Sequence, residues 1–482
     1  NFSGSLIKRF NLSIDEILKI KNYKIDFKSD FNNSLISLKE PNEIVFFKDQ
    51  IKDIIFSKSI IEINKSNETP TNVLIQGLYK LKNNSDFKNF KIINNYEKKK
   101  KEFDINIELV DPILIDFINY EKKAEKIANL NINFLINKNE KLLKDFIYEE
   151  SKSKILIKNL KLDKKNKLKK LSSIKVNTFK DDLENNNFEI KFRKKIEIYG
   201  NKFDSTNLIK NLNKISNTSN PLSNISKDIN ISFKEILTKL SKPLNDFNLI
   251  GKIEKGKFVK ISSKSEFNKD QFLDIALKKD PSKNKKILEI YSDLPKPLLS
   301  DIKFFKGIKG GQLLYTSTYD DYESNSNLKL KNFKVLNAPA FAKLLALADL
   351  RGLEVLLSGQ GLDFESLEIK LNENKKVRKV EEIYAVGPSI TILMDGYIEK
   401  ETGLTSLRGT MVPAKEINKL ISKIPVLGEI LIGKEVGEGV FGVSFKMKGL
   451  PGKIKTTVNP IKSLTPRFIT RALEKRKKNK EN

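Results

Sequence analysis

The sequence has no cysteine, no histidine and no tryptophan among its 482 residues. Without cysteine there is no disulfide framework, no thiolate nucleophile and no Cys-ligated metal. That absence fits an oxidising compartment as well as a reducing one. Without histidine there is no Ser-His-Asp or Cys-His triad, no imidazole base and no usual zinc site. Only carboxylate or lysine chemistry survives. Arginine is scarce: 8 of the 90 basic residues, which leaves 82 lysines. No run reaches 18 uncharged apolar residues, so no segment reads as a membrane-spanning helix. Glycine is nearly missing from the first half, where only Gly4, Gly77 and Gly200 precede residue 251.

What is present is charge, and it is lopsided. Ninety Lys and Arg against 61 Asp and Glu leave +29. Such a balance suits a nucleic-acid surface, but readers of phosphate and base edges favour the arginine fork. Lys, Asn and Ile fill nearly every segment, in runs such as Lys98–Lys101. We read this as the imprint of an AT-rich coding sequence and expect no nucleic-acid partner. A basic nucleic-acid-binding protein stands as an alternative. The hydrophobic share of 39% is enough to bury cores. The length suggests about two to four domains, or one long repetitive one. The chain opens with Asn1 rather than Met. It reads as a fragment or processed product, with an N-terminal anchor or signal absent from it.

The dominant period is two. Phe103, Ile105, Ile107 and Leu109 alternate with Asp104, Asn106 and Glu108; Leu273, Ile275 and Leu277 repeat the pattern. So do Phe441, Val443, Phe445 and Met447, then Ile454, Thr456 and Val458. Successive strand side chains point to opposite faces, so each run predicts a strand with one oily and one wet side. Gly310-Gly311, Gly387-Pro388, Asp395-Gly396 and Pro451-Gly452 read as turns that make neighbours antiparallel. Short helices are expected after Asp111-Pro112, Asp204-Ser205, Asp293, Ala338-Pro339 and Pro413. Asp111, Asp204 and Asp293 recur at intervals of 93 and 89, each behind an alternating strand, which suggests a repeat near 90 residues.

No catalytic constellation emerges, and the chain is expected to be no enzyme and to need no cofactor. Asp320-Asp321 with Glu323 and Ser324 reads as a solvated turn rather than a metal site. Gly437, Gly439 and Gly442 lack the Lys-Ser/Thr pair and helix of a phosphate loop, and read as a turn or bulge into a strand. The oily faces remain. Two sheets could bury them mutually, or one curved sheet could present them as a groove; periodicity does not choose.

Four stretches narrow that choice by resemblance: KGIKGGQLLYTSTYDD (306–321), FKVLNAPAFAKLLAL (333–347), LRGTMVPAKEINKLISKIPVLGEILIGKEVGEGVFGV (407–443) and TTVNPIKSLTP (456–466). Their order resembles the C-terminal region of the bacterial AsmA-like family, the YhdP and TamB type. The similarity covers roughly 306–470, weakens towards 150 and is not traceable before that. The resemblance implies a mainly β fold: a long, twisted, antiparallel, repeating β-groove with short interspersed helices. It also implies a bridge-like lipid-transfer role in the periplasm of a Gram-negative bacterium, with an N-terminal inner-membrane anchor that this chain lacks. Partners would be phospholipids, the inner and outer membranes and envelope proteins. On this reading residues 1–110 are a divergent β-rich region, 111–330 a repeating middle, 331–470 the AsmA-like region and 471–482 a basic tail.

The function expected is a conduit or scaffold moving phospholipids between inner and outer membrane, the alternative being a non-transporting scaffold for outer-membrane assembly. Groove-facing candidates are Leu313, Tyr315, Phe364, Ile369, Phe441, Val443, Phe445, Ile454 and Val458, with Leu314 competing for the register at 313–315. The tail from Arg467 to Lys480 offers an oily stripe beside basic residues. Its membrane-contact candidates are Phe468, Ile469, Arg471, Leu473, Lys475 and Arg476.

Overall fold

A computed structural model describes residues 3–42, 51–81, 86–97, 99–208, 223–239, 242–280, 285–299, 307–336, 359–413 and 442–461. Among these the chain is mainly β: 29 strands stand against one five-residue α-helix and one 3-10 turn. It forms two compact units, Asn1–Phe258 and Val259–Asn482. That division falls inside the segment read as 111–330.

The first unit contains β1 (Ser3–Ile14), β2 (Ile20–Asn32), β3 (Ser34–Asn42), β4 (Ile51–Ser66), β5 (Thr71–Leu81), β6 (Lys88–Glu97) and β7 (Lys100–Leu109). A small hairpin follows, β8 (Ile113–Ile115) and β9 (Tyr120–Lys122). Then come β10 (Ala128–Ile136), β11 (Glu140–Glu150), β12 (Ser153–Asp163), β13 (Leu168–Lys170), β14 (Ser173–Lys180), β15 (Leu183–Phe192), β16 (Ile196–Asp204), β17 (Lys227–Leu237) and β18 (Leu244–Glu254). The ladder runs β1-β2-β4-β5-β6-β7-β10-β11-β12-β14-β15-β16-β17-β18. Every step is antiparallel except β16–β17, which is parallel. Glycine is scarce here because other residues take the left-handed turn positions. Asn33, Asn119, Asn166, Asp181 and Asp182 all have φ between 48° and 63°, a region that Asn and Asp tolerate better than other side chains.

The second unit holds nearly all of β19 (Lys257–Asn268), then β20 (Gln271–Lys279), β21 (Lys286–Ser292), β22 (Ile308–Tyr319), β23 (Glu323–Val335), β24 (Leu362–Asn374), β25 (Val377–Val386), β26 (Ile390–Glu399), β27 (Thr405–Pro413), β28 (Gly442–Gly449) and β29 (Lys455–Ile461). Each pairs antiparallel with its successor. The helix α1 (Pro295–Leu299) lies between β21 and β22. The two rims of this unit differ. Residues 293–307, 336–361 and 414–441 all connect strands at one rim, where Val335 opposes Leu362 and Met411 opposes Val443. Tight turns at 320–322, 375–376 and 400–404 serve the other.

The alternating segments at 103–109, 273–277, 442–447 and 455–458 are strands, as their pattern predicts. Three local expectations need correction. Asp395-Gly396 is not a turn but the middle of β26, where Gly396 opposes Leu407 and a Cβ would meet the Ser406 carbonyl at 2.1 Å. Gly310-Gly311 lies within β22, with φ of 70° and 89° kinking the strand opposite Phe333. The helix expected after Asp111-Pro112 is instead the β8–β9 hairpin, its turn a 3-10 segment Asp116–Ile118. The β-branched Ile113 and Ile115 pair with Lys122 and Tyr120 rather than winding into a helix. The helix after Asp293 is α1. Those expected after Ser205, Pro339 and Pro413 fall, beyond Leu208 and Pro413, outside the described residues.

Candidate functional site: an apolar sheet face

Register decides which side chains share a face, because directly opposed residues on neighbouring strands point the same way. Followed across the first unit, register reveals one uninterrupted apolar row. It starts at Ile61 on β4 and passes through Ile75, Ile92, Ile105, Ile132 and Phe146. It continues through Ile157, Ile174, Ile190, Ile198 and Ile231 to Leu249 on β18. Every member before Leu249 is only half-buried. The neighbouring row adds Phe103 and Phe134, stacked with centroids 4.6 Å apart. The reverse face carries Gln76, Lys91, Asn106 and Asn131 on β5, β6, β7 and β10. Farther along it come Ile147 and Leu156, then Lys175 and Glu189, paired at 3.9 Å, and Asn248. Along these rows one side is wholly apolar and the other mostly polar, as the period-two pattern predicts.

The oily face is closed at one end. The segment from Val110 to Ile127 leaves the sheet after Leu109 and rejoins it at Ala128, its register partner. The Tyr120 ring meets Tyr148 edge-on at 5.9 Å, and the two hydroxyls bond at 2.8 Å. The Tyr120 hydroxyl also donates to Glu150 Oε2 at 3.0 Å. Asn186 Nδ2 donates to the Ile118 carbonyl at 2.7 Å, and Asn119 Nδ2 to Asp204 Oδ2 at 2.8 Å. Lys122 is fully buried, its Nζ donating to the carbonyls of Val110, Asp111 and Lys123 at 2.6, 3.0 and 3.2 Å. Burial lowers its pKa to about 8, against the opposing pull of Asp111, Glu150 and Glu125. Burial likewise raises the hydroxyl pKa values of Tyr120 and Tyr148. Near this plug the face is dry: Tyr148, Ile155, Val176 and Phe188 are buried. Away from it the row is open.

The second unit has an equivalent row: Leu273, Ser292, Leu313, Leu330, Leu367, then Ala385, Ile392, Met411 and Val443. Here every member is buried. Leu313, Phe364, Ile369 and Phe445 belong to one core cluster, with Tyr315 and Val458 packed against it. Phe364 stacks on Phe333 at 5.3 Å. Val443 is buried opposite Met411. The register at 313–315 resolves in favour of Leu313 and Tyr315, and Leu314 is exposed. Ile454 is the correction: it sits in the turn before β29, exposed, because the ladder begins only at Lys455. Phe441 and the tail residues Phe468, Ile469, Arg471, Leu473, Lys475 and Arg476 lie outside the described residues.

Two features were missed by reading the sequence. The first is the long row of the first unit, which needs register rather than alternation. The second is a small core on the reverse face of the second unit, formed by Tyr384, Val386, Leu393 and Val412. The unbroken run Ile390–Met394, buried throughout, is its sequence signal, since a strand covered on both sides loses alternation. A separate hollow of about 540 Å³ is bordered by Lys58, Gln76, Lys91, Asn106 and Glu108 on the wet face. It is not part of the apolar row. No protein-family model, curated protein or solved structure matches this chain.

Proposed function

We propose that the chain binds and conducts lipid acyl chains along the apolar face of its first unit. The observation that carries this reading is the half-open row from Ile61 to Leu249, which crosses twelve strands without a polar member. At about 4.8 Å between strands, that row is roughly 50 Å long. An apolar strip of this kind left to water is costly, at about 25 cal/mol per Å². Each methylene laid on it recovers about 0.8 kcal/mol, so a bound chain offsets that exposure. The charged headgroup stays in water at the open side. Like neighbours recur every strand, so a chain sliding along the row meets little change in surroundings. No acid, base or nucleophile is needed for this task.

The buried row of the second unit supports a different part for it, as a closed structural core. The AsmA-like resemblance of residues 306–470 supports a setting in the periplasm of a Gram-negative bacterium, with phospholipid passing between inner and outer membrane. The test places a photo-crosslinking residue at Ile132, on the row, and another at Asn131, on the reverse face. The purified full chain is extracted with organic solvent and captured lipid is identified by mass spectrometry. The expected result is phospholipid crosslinked from position 132 and not from 131. Equal capture from both, or none from either, overturns the reading. A protein partner recovered without lipid would favour the assembly scaffold.

A further inference from the structure

The hairpin joining β1 and β2 gathers more exposed aliphatic side chains than the other described tips. Those at Ser151-Lys152 and Lys269-Asp270 are polar, Tyr322 stands alone at 320–322, and Leu450 and Ile454 flank 451–453. The β1–β2 tip groups Leu12, Ile14, Ile17, Leu18 and Ile20 within nine residues, and all are exposed. Ile17 is 69% exposed and Leu18 81%, the highest value among the exposed large apolar side chains. Leu18 also has φ of 61°, a left-handed position that Asn or Gly fills more readily. A large aliphatic residue is thus held outward where turn chemistry alone would select a small or polar one.

The tip is braced rather than loose. Asp15 Oδ1 accepts from the backbone N–H groups of Ile17 and Lys19 at 3.1 and 2.8 Å. The Asp15 N–H donates to the Lys19 carbonyl, and Leu18 N–H to the Asp15 carbonyl. From the adjacent β4–β5 turn, Asn67 accepts from Tyr23 N–H at 3.1 Å and donates to the Lys21 carbonyl at 2.9 Å. These bonds satisfy tip backbone groups that would otherwise be stranded on leaving water. Lys19, Lys21 and Lys24 follow the tip, and Lys65 lies over the Tyr23 ring at 5.8 Å.

We propose that this hairpin tip inserts into the interfacial layer of a lipid bilayer, preferring anionic headgroups. The aliphatic side chains enter the acyl boundary, and the lysines stay at headgroup level on flexible stems. The carboxylate of Asp15, the acid nearest the apex besides Glu16, is already engaged by the turn. Among the described residues the free edge of β1 lies beside this apex, but the exposed aliphatic cluster continues onto the turn itself at Ile17 and Leu18, beyond the reach of edge pairing. This contact needs no lipid in the Ile61–Leu249 row, so it stands or falls apart from the conduit.

The chain contains no tryptophan, so Leu18→Trp installs a single reporter at the apex. The full-length variant is mixed with phosphatidylcholine vesicles, and with vesicles that also contain phosphatidylglycerol. A blue shift with the mixed vesicles, quenched by brominated acyl chains, is expected. Unchanged emission with both vesicle types overturns the proposal. So does a shift that grows with protein concentration in the absence of vesicles, which would assign the tip to contact between copies. In parallel, Ile17→Asn with Leu18→Asn should lower co-sedimentation with the mixed vesicles by about tenfold or more. Undiminished sedimentation by that variant is again fatal. Lipid capture from position 132 should persist in it, which separates the fate of this inference from that of the conduit.

Discussion

At the scale of single residues, the plug of the first unit makes a testable statement about pH. Lys122 titrates at about 8 in the folded chain and near 10.5 when free. Below 8 it is charged in both states, and the full cost of burying that charge is present. Between the two values the unfolded chain keeps a proton that the folded chain has released, so stability rises with pH. Half-buried Tyr79 and buried Tyr120 and Tyr148 act oppositely, because their raised hydroxyl pKa values favour unfolding once free tyrosine ionises near pH ~10. The melting temperature should therefore climb between pH 8 and about 9.5. Lys122→Met should abolish the climb and cost about 1–3 kcal/mol, since three carbonyls lose their donor. An unchanged slope in that variant would show that another group titrates. In the second unit Leu330 is fully buried, and Leu330→Ala should cost about 2–5 kcal/mol by chemical denaturation. Some of this was legible in the chain, such as the inward side of Leu313 and Phe445. The role of Gly396 was not: beside Asp395 it mimics a turn, whereas its want of a Cβ is used for close approach to Ser406. Sequence shows that a glycine is present but not which neighbour requires it.

At the scale of elements, the β8–β9 hairpin is a separable cover. Leu109 and Ala128 face each other across β7 and β10, so a two-residue Asn-Gly turn can replace residues 110–127 without breaking the ladder. That deletion should uncover Tyr148, Ile155 and Val176, which lie beside it on the oily face. The variant should bind a hydrophobic dye such as ANS several-fold more strongly, with an unchanged β signature in far-UV circular dichroism. Dye binding equal to the parent would mean that the plug does not guard the face. Asp111-Pro112 looked like a helix start because the capping pattern is local. The outcome was set at a distance, by Tyr120 meeting Tyr148 and Asn186 reaching Ile118. Strands were readable for the opposite reason: alternation is written residue by residue.

At the scale of the molecule, the row from Ile61 to Leu249 was the least visible feature, although each of its members was visible. Alternation says that Ile105 and Ile157 each point to an oily side; only register joins them across intervening strands. A charge placed midway should separate binding from passage. Ile157→Glu is half-exposed in the parent and should cost no more than about 1–2 kcal/mol in stability. It should cut transfer of fluorescent phospholipid between vesicles by about tenfold, while lipid still co-purifies. Undiminished transfer would refute continuous passage along the row. The uneven rims of the second unit lead to a different expectation. Its long connections all arise on one side, and the turns at 320–322, 375–376 and 400–404 are short on the other. Sequence drift, peptide tags and grafted loops should therefore be tolerated very differently at the two margins. New attachments would accumulate along the first margin while the second stays a plain hem.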